Sequence, residues 1–66
     1  MKKIDSFNMI KSLRNEDIIL RDKNDIFKIL HITDISVTIF KPDNVDPYLT
    51  ILPFEDLISG EWYLLF

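Results

Sequence analysis

The 66-residue chain contains no cysteine, one glycine and one histidine. Without cysteine, neither a disulfide nor a cysteine-ligated zinc ion can hold the fold together. A single glycine cannot build the glycine-rich loops that cradle phosphates. No apolar stretch approaches the length needed to span a membrane. We therefore expect a soluble protein of the cytoplasm.

Groups that could perform catalysis are scarce. His31 is the only side chain whose ordinary pKa lies near neutrality, and no motif places a serine or threonine beside it. The acid pairs Glu16–Asp17 and Glu55–Asp56 fall at element boundaries, where carboxylates cap helices and shape turns. We predict that the protein is not an enzyme and holds no metal ion or cofactor.

The charge of the chain is mildly acidic, with a formal net charge of −3 and a pI near 4.8. Sequence-independent binding to DNA or RNA needs concentrated lysine and arginine, so direct nucleic-acid binding is not expected. Hydrophobic residues make up 47% of the chain, a high share for the core of so small a domain. We expect the excess to form the interface of a homo-oligomer.

Hydrophobic periodicity predicts an opening helix and a series of short strands. Apolar residues at helical spacing predict the helix over residues 5–14. Runs of β-branched and aromatic residues between turn-forming residues predict strands. These predicted strands are residues 18–21, 26–32, 35–39 and 48–51. Two prolines in residues 41–47 predict the one evident loop.

The C-terminal segment carries signals for a short helix followed by a strand. Pro53 suits a helix start, and Glu55 and Asp56 lie in the first turn, where the helix dipole favours acids. Gly60 is expected to close the helix in a left-handed conformation. Trp62 opens a last apolar strand and is expected to be buried, because an exposed strand of this composition would not be stable.

These elements predict one domain spanning residues 1–66. The fold class is α+β, in which the N-terminal helix caps a small, strongly bent antiparallel sheet of about five strands. We expect the sheet to be barrel-like, with the short helical turn immediately before the last strand.

Three features of the chain match the pattern of one known family. The opening helix is apolar, the first predicted strand ends at Arg21, and residues 56–62 read D-L-I-S-G-E-W before a hydrophobic strand. In these features the chain resembles the phage Thoeris anti-defence family of the second type, which are sponges for cyclic ADP-ribose-type signals. Glu16 stands where the family has glycine, and Asn24 and Thr50 stand where it has tryptophan.

The resemblance implies a non-enzymatic phage or prophage protein that antagonises bacterial immunity. Such a protein assembles into an oligomer and sequesters a cyclic nucleotide-type signal in the cytoplasm of the host bacterium. Arg21 and Asp56 are the ligand-binding residues that carry over from the family pattern, with Arg21 placed for phosphate. Tyr48 and Tyr63 are the candidates for stacking on a base.

Two other functions fit the composition. The first is a protein-binding inhibitor of a host defence effector, similar to an anti-CRISPR protein, whose acidic rim faces a basic partner. The residues of this acidic rim would be Asp43, Asp46, Glu55 and Glu61. The second is a phage structural or assembly accessory protein that serves only in subunit packing.

Overall fold

A computed structural model describes residues 1–22, 25–42 and 48–65 of the chain. Strands and two short helices follow one another along these residues. They are β1 (Lys2–Lys3), α1 (Phe7–Ile10), β2 (Ile18–Arg21), β3 (Asp25–Ile32), β4 (Ser36–Lys41), β5 (Tyr48–Pro53), α2 (Phe54–Ser59) and β6 (Trp62–Leu65). The order of elements therefore confirms an α+β domain that consists mostly of sheet.

The strands form one antiparallel six-stranded sheet with the order β1-β6-β2-β3-β4-β5. The predicted barrel is wrong, because β1 and β5 are the edges of this sheet and do not pair with each other. Closure would require a ladder between the two edge strands. β1 was missed in the sequence because two lysines carry no strand pattern, yet their main chain pairs with Leu64 and Tyr63.

The opening helix is a single turn rather than the predicted residues 5–14. Ser6 is its N-cap, and the Ser6 side chain accepts a hydrogen bond from the Met9 backbone N–H. The Ser12 hydroxyl donates to the Met9 carbonyl oxygen at 2.6 Å, as the chain turns away after the helix. Ile10 still reaches the core, whereas Phe7 is exposed. This helix contacts α2 and does not cap a barrel.

The sheet has two faces with different surroundings. We define the inner face as the side on which both helices pack. Ile10 of α1 and Leu57 of α2 join the buried residues of the strands there. The core residues of the inner face are Ile4, Ile10, Leu13, Ile19, Phe27, Ile29, Val37, Ile39, Leu57 and Trp62. The opposite side of the sheet, which neither helix covers, is the outer face.

Position 60 needs glycine because neighbouring atoms pack closely against it, and not because the backbone is left-handed there. Its φ of −87° and ψ of 179° are extended, so the predicted left-handed closure of α2 is wrong. A Cβ at this position would lie 2.9 Å from Cδ1 of Trp62 and 3.0 Å from the carbonyl oxygen of Asp56. Trp62 is only 4% exposed, which confirms its predicted burial. Pro53 ends β5 and is the N-cap of α2.

Replacing Gly60 with alanine is expected to destabilise the protein by about 1 to 3 kcal/mol, because the added methyl group forces the Trp62 indole to move. Chemical denaturation measures this loss. Ser59→Ala, one residue earlier and exposed, is the control and should change stability by less than about 0.5 kcal/mol.

A double-mutant cycle tests whether the Trp62 indole is the reason for Gly60. Trp62→Phe removes Nε1 and leaves a smaller ring with room to move away from the added methyl group, so the penalty of Gly60→Ala should shrink in that background. An equal penalty in both backgrounds would contradict the indole contact as the reason and leave the Asp56 carbonyl oxygen as the obstructing atom.

Candidate ligand site

Charged and aromatic side chains gather on the inner face, at the end of the sheet where β2 leads to β3 and β4 leads to β5. The strand register explains the gathering, because Arg21 pairs with both Asp25 and Trp62, and Lys41 pairs with Tyr48. We name this group the cation–aromatic cluster. Its members are Arg21, Asp25, Phe27, Lys41, Tyr48 and Trp62.

Asp25 lies between the two cations of the cluster. The Lys41 ammonium is 2.7 Å from Oδ1 of Asp25, and the Arg21 guanidinium is 3.4 Å from Oδ2. The hydrogen bond from Lys41, with a smaller contribution from Arg21, holds the pKa of Asp25 below its ordinary value. Two cations and one carboxylate leave a local excess of one positive charge.

Aromatic rings lie close to both cations of the cluster. Phe27 and Trp62 are buried with ring centroids 5.2 Å apart, and the ring of Phe27 meets that of Tyr48 edge to face at 6.2 Å. The Arg21 guanidinium lies 5.5 Å from the Trp62 centroid, close enough for a cation–π interaction. The Lys41 ammonium lies 5.8 Å from the Phe27 centroid. The cations are therefore held by rings as well as by Asp25.

The cluster has the groups that bind an anion with a flat aromatic part. Guanidinium carries five N–H donors in a planar fork that matches phosphate and carboxylate. Tyr48 is 50% exposed, so its ring can stack on a base. The cluster contains no histidine, serine or threonine, and its one carboxylate, Asp25, is already paired with Lys41 and Arg21.

Two of the four predicted ligand-binding residues come together in this cluster. Arg21 and Tyr48 both contact its aromatic centre, Phe27. Tyr63 pairs with Leu20 and therefore lies on the outer face, away from Arg21. Asp56 lies in the first turn of α2 and is exposed; its carbonyl oxygen accepts the Gly60 N–H. Neither residue belongs to the cluster.

Three members of the cluster were missed by sequence reasoning. Asp25, Phe27 and Lys41 belong to no sequence motif, and no neighbouring residue indicates a function for them. The period of two along a strand was a usable signal, because Lys41 follows the core residue Ile39 by two positions and so shares its face. Their partners depend on the strand register, which the sequence pattern left open.

The predicted acidic rim is described only in part. Glu55 and Glu61 are exposed, whereas Asp43 and Asp46 lie outside the described residues. The Tyr63 hydroxyl donates to Oε2 of Glu61 at 3.3 Å. The Glu61 carboxylate raises the pKa of Tyr63, because its negative charge disfavours the phenolate. A role for this rim in partner binding stays a prediction.

A groove of about 680 Å³ lies at the other end of the strands, beside the turn before β4. Its lining is mainly apolar, with Lys11 as its cation and Asp34 and Glu55 as its acids. The complete lining is Phe7, Lys11, Asp34, Ile35, Pro53, Phe54 and Glu55. Two acids against one cation disfavour an anionic ligand here, so the cation–aromatic cluster is the better anion site.

No family model, no curated protein and no solved structure matches this chain. Across residues 1–22, 25–42 and 48–65, no helix is long and apolar enough to cross a bilayer. The same residues contain no group of three histidine, aspartate or glutamate side chains that could hold a metal ion.

The ion pairs of Asp25 should make stability depend on pH. Because the folded-state pKa of Asp25 lies below its ordinary value, its stabilising effect is complete above that ordinary value and is lost as the pH falls through the folded-state pKa. Urea denaturation from about pH 6 to about pH 2 should show wild type losing its advantage over Asp25→Asn.

Lys41→Gln provides the check on the cause. In this background the pH dependence attributable to Asp25 should become smaller, because the strongest hydrogen bond to the carboxylate is gone. An unchanged pH dependence would show that another group is responsible.

Proposed function

We propose that the protein is a non-enzymatic binding protein that captures an anionic, nucleotide-type small molecule at the cation–aromatic cluster. The observation that carries the proposal is the placement of Arg21 and Lys41 around one carboxylate, over buried aromatic rings and beside the half-exposed ring of Tyr48. Cations for phosphate and a ring for a base are the two elements of nucleotide capture.

The resemblance in the sequence supplies the class of ligand and the biological role. The ligand is a cyclic ADP-ribose-type signal, and the protein is a phage-type antagonist that sequesters this signal in the host bacterial cytoplasm. Two observations support this part of the proposal. Arg21 and Trp62, which match the family pattern, contact each other in the cluster. Glu16, where the family has glycine, adopts a φ of 77°, the left-handed region that favours glycine.

Sequestration suits this site better than catalysis. His31 pairs with Thr38, which lies on the outer face, and is therefore remote from the cluster. Arg21 and Lys41 can bind and orient an anion, and the one carboxylate of the cluster, Asp25, is held by both of these cations. A sponge needs only tight and reversible capture.

Binding of an anion has an internal competitor in Asp25. A phosphate that enters must share or replace the contacts of the carboxylate with Lys41 and Arg21. Asp25→Asn removes the competing negative charge and should therefore tighten binding, although the same change weakens the folded state. Opposite effects on affinity and stability distinguish a binding site from a purely structural ion pair.

Native mass spectrometry with cyclic ADP-ribose isomers and cyclic oligonucleotides tests the proposal. The wild-type protein should gain integral ligand masses with at least one of these compounds. Arg21→Gln should weaken that binding by at least tenfold, about 1.4 kcal/mol, because a charge-assisted phosphate contact is lost. Arg14→Gln, the same change at an exposed arginine outside the cluster, should bind as wild type does.

Two results would contradict this assignment. If no compound binds, the sponge function is wrong. Capture of a host defence protein through the acidic rim is then the hypothesis to test. If a compound binds but Arg21→Gln and Arg14→Gln behave alike, the ligand occupies a different site, and the groove beside α1 is the next one to test.

A further inference from the structure

The outer face of the sheet is apolar where a solvated face would be polar. Ile26, Leu49, Ile51 and Leu65 are 49%, 62%, 67% and 45% exposed on this side. Other apolar side chains fill the spaces between them. These are Ile18, Leu20, Phe40 and Tyr63, all placed on the outer face by the strand register.

The exposed and half-buried side chains of the outer face form one continuous surface. Ile18 pairs with Leu65 on one side and with Lys28 on the other. Lys28 in turn pairs with Phe40, and Phe40 pairs with Leu49. A single row of neighbouring side chains therefore crosses five strands, from β6 to β5.

The sequences of β2 and β6 also indicate that their outer side is covered. An antiparallel sheet with one face in water alternates apolar and polar residues along each strand. β2 begins Ile-Ile-Leu and β6 reads Trp-Tyr-Leu-Leu, with no such alternation. Continuous apolar runs are typical of strands that are buried on both faces.

We propose that the outer face is the interface of a homodimer, in which a second copy of the chain packs its own outer face against the first. The result is a sandwich of two sheets with the helices on its outside. Closed two-fold dimers are the commonest assembly of soluble proteins.

The charges of the face permit this self-association. Lys28, in the middle of the apolar row, is paired with Glu16, whose Oε2 lies 2.6 Å from the ammonium. The other charged groups near this face, Lys3 beside Tyr63 and Glu61 at the Tyr63 hydroxyl, lie at its β1–β6 margin. Two copies can therefore meet at the centre of the face without bringing unpaired like charges together. The acidic balance of the chain, with a net charge of −3, disfavours an anionic membrane surface as the occupant instead.

The area of the face reaches the size that a specific dimer needs. Five strands spaced about 4.8 Å apart, with about five residues each at about 3.4 Å, cover roughly 400 Å² in projection. The accessible area of a corrugated surface is larger, so two such faces bury on the order of 1,200 Å² in total, the lower limit for stable specific interfaces. We therefore expect a dimer that dissociates on dilution.

The proposed interface and the proposed ligand site are independent. The cation–aromatic cluster lies on the inner face, so substitutions on the outer face leave its residues in place. Loss of the dimer and loss of ligand binding are consequently separate results.

Sedimentation velocity over a concentration series from about 1 to about 500 µM tests the dimer. Wild type should shift from monomer to dimer as the concentration rises. Leu65→Glu should weaken the dimer at least tenfold, because it places a charge in the interface on β6, far from the β5 edge. Ile35→Glu is the matched control, since Ile35 is 75% exposed but lies in the turn before β4; it should dimerise as wild type does.

Folding of each variant is checked by circular dichroism and thermal unfolding. If Leu65→Glu fails to fold, Ile26→Lys on β3 takes its place. A wild-type protein that stays monomeric at every concentration would overturn the proposal. So would a dimer that Ile51→Glu abolishes and Leu65→Glu leaves intact, because that pattern indicates pairing between two β5 edges.

Discussion

The burial of Trp62 is the interaction on which the rest of the structure depends. Its indole closes against Gly60 at the end of α2 and against Phe27 in the middle of the sheet, so one side chain connects the last helix, the last strand and the core. The same ring faces the Arg21 guanidinium. The stability of the C-terminal half and the geometry of the candidate ligand site are therefore supported by the same packing.

A domain of this size has little stability to spare, since it buries only about 60% of the surface that its unfolded chain exposes. Here both helices are short and pack on one face, so the core consists mainly of one layer of strand residues beneath them. Because both helices pack on the inner face, the apolar outer face is left uncovered. Pairing of two outer faces would supply a second core and would add the stability that one copy lacks.

Several elements were predictable because their signals are local. The strands beginning at Ile18 and Trp62 and the short helix after Pro53 follow from hydrophobic runs and helix-end residues that need no distant partner. The opening helix was predicted too long, because helical spacing continues after the chain has turned at Ser12. β1 was not predictable, since its two lysines become a strand only through pairing with β6.

The local sequence was sufficient to predict a small α+β domain and a buried tryptophan, because composition and short-range patterns carry this information. The order of the strands, the open sheet and the pairing of both Arg21 and Lys41 with Asp25 came from the tertiary structure. The physical reason is register: a shift by one residue reverses the face of every side chain in a strand, and register depends on contacts between residues distant in the chain. Gly60 is a second example of what the local sequence could not show. Glycine is needed there because of the position of Trp62 and not because of its own backbone angles.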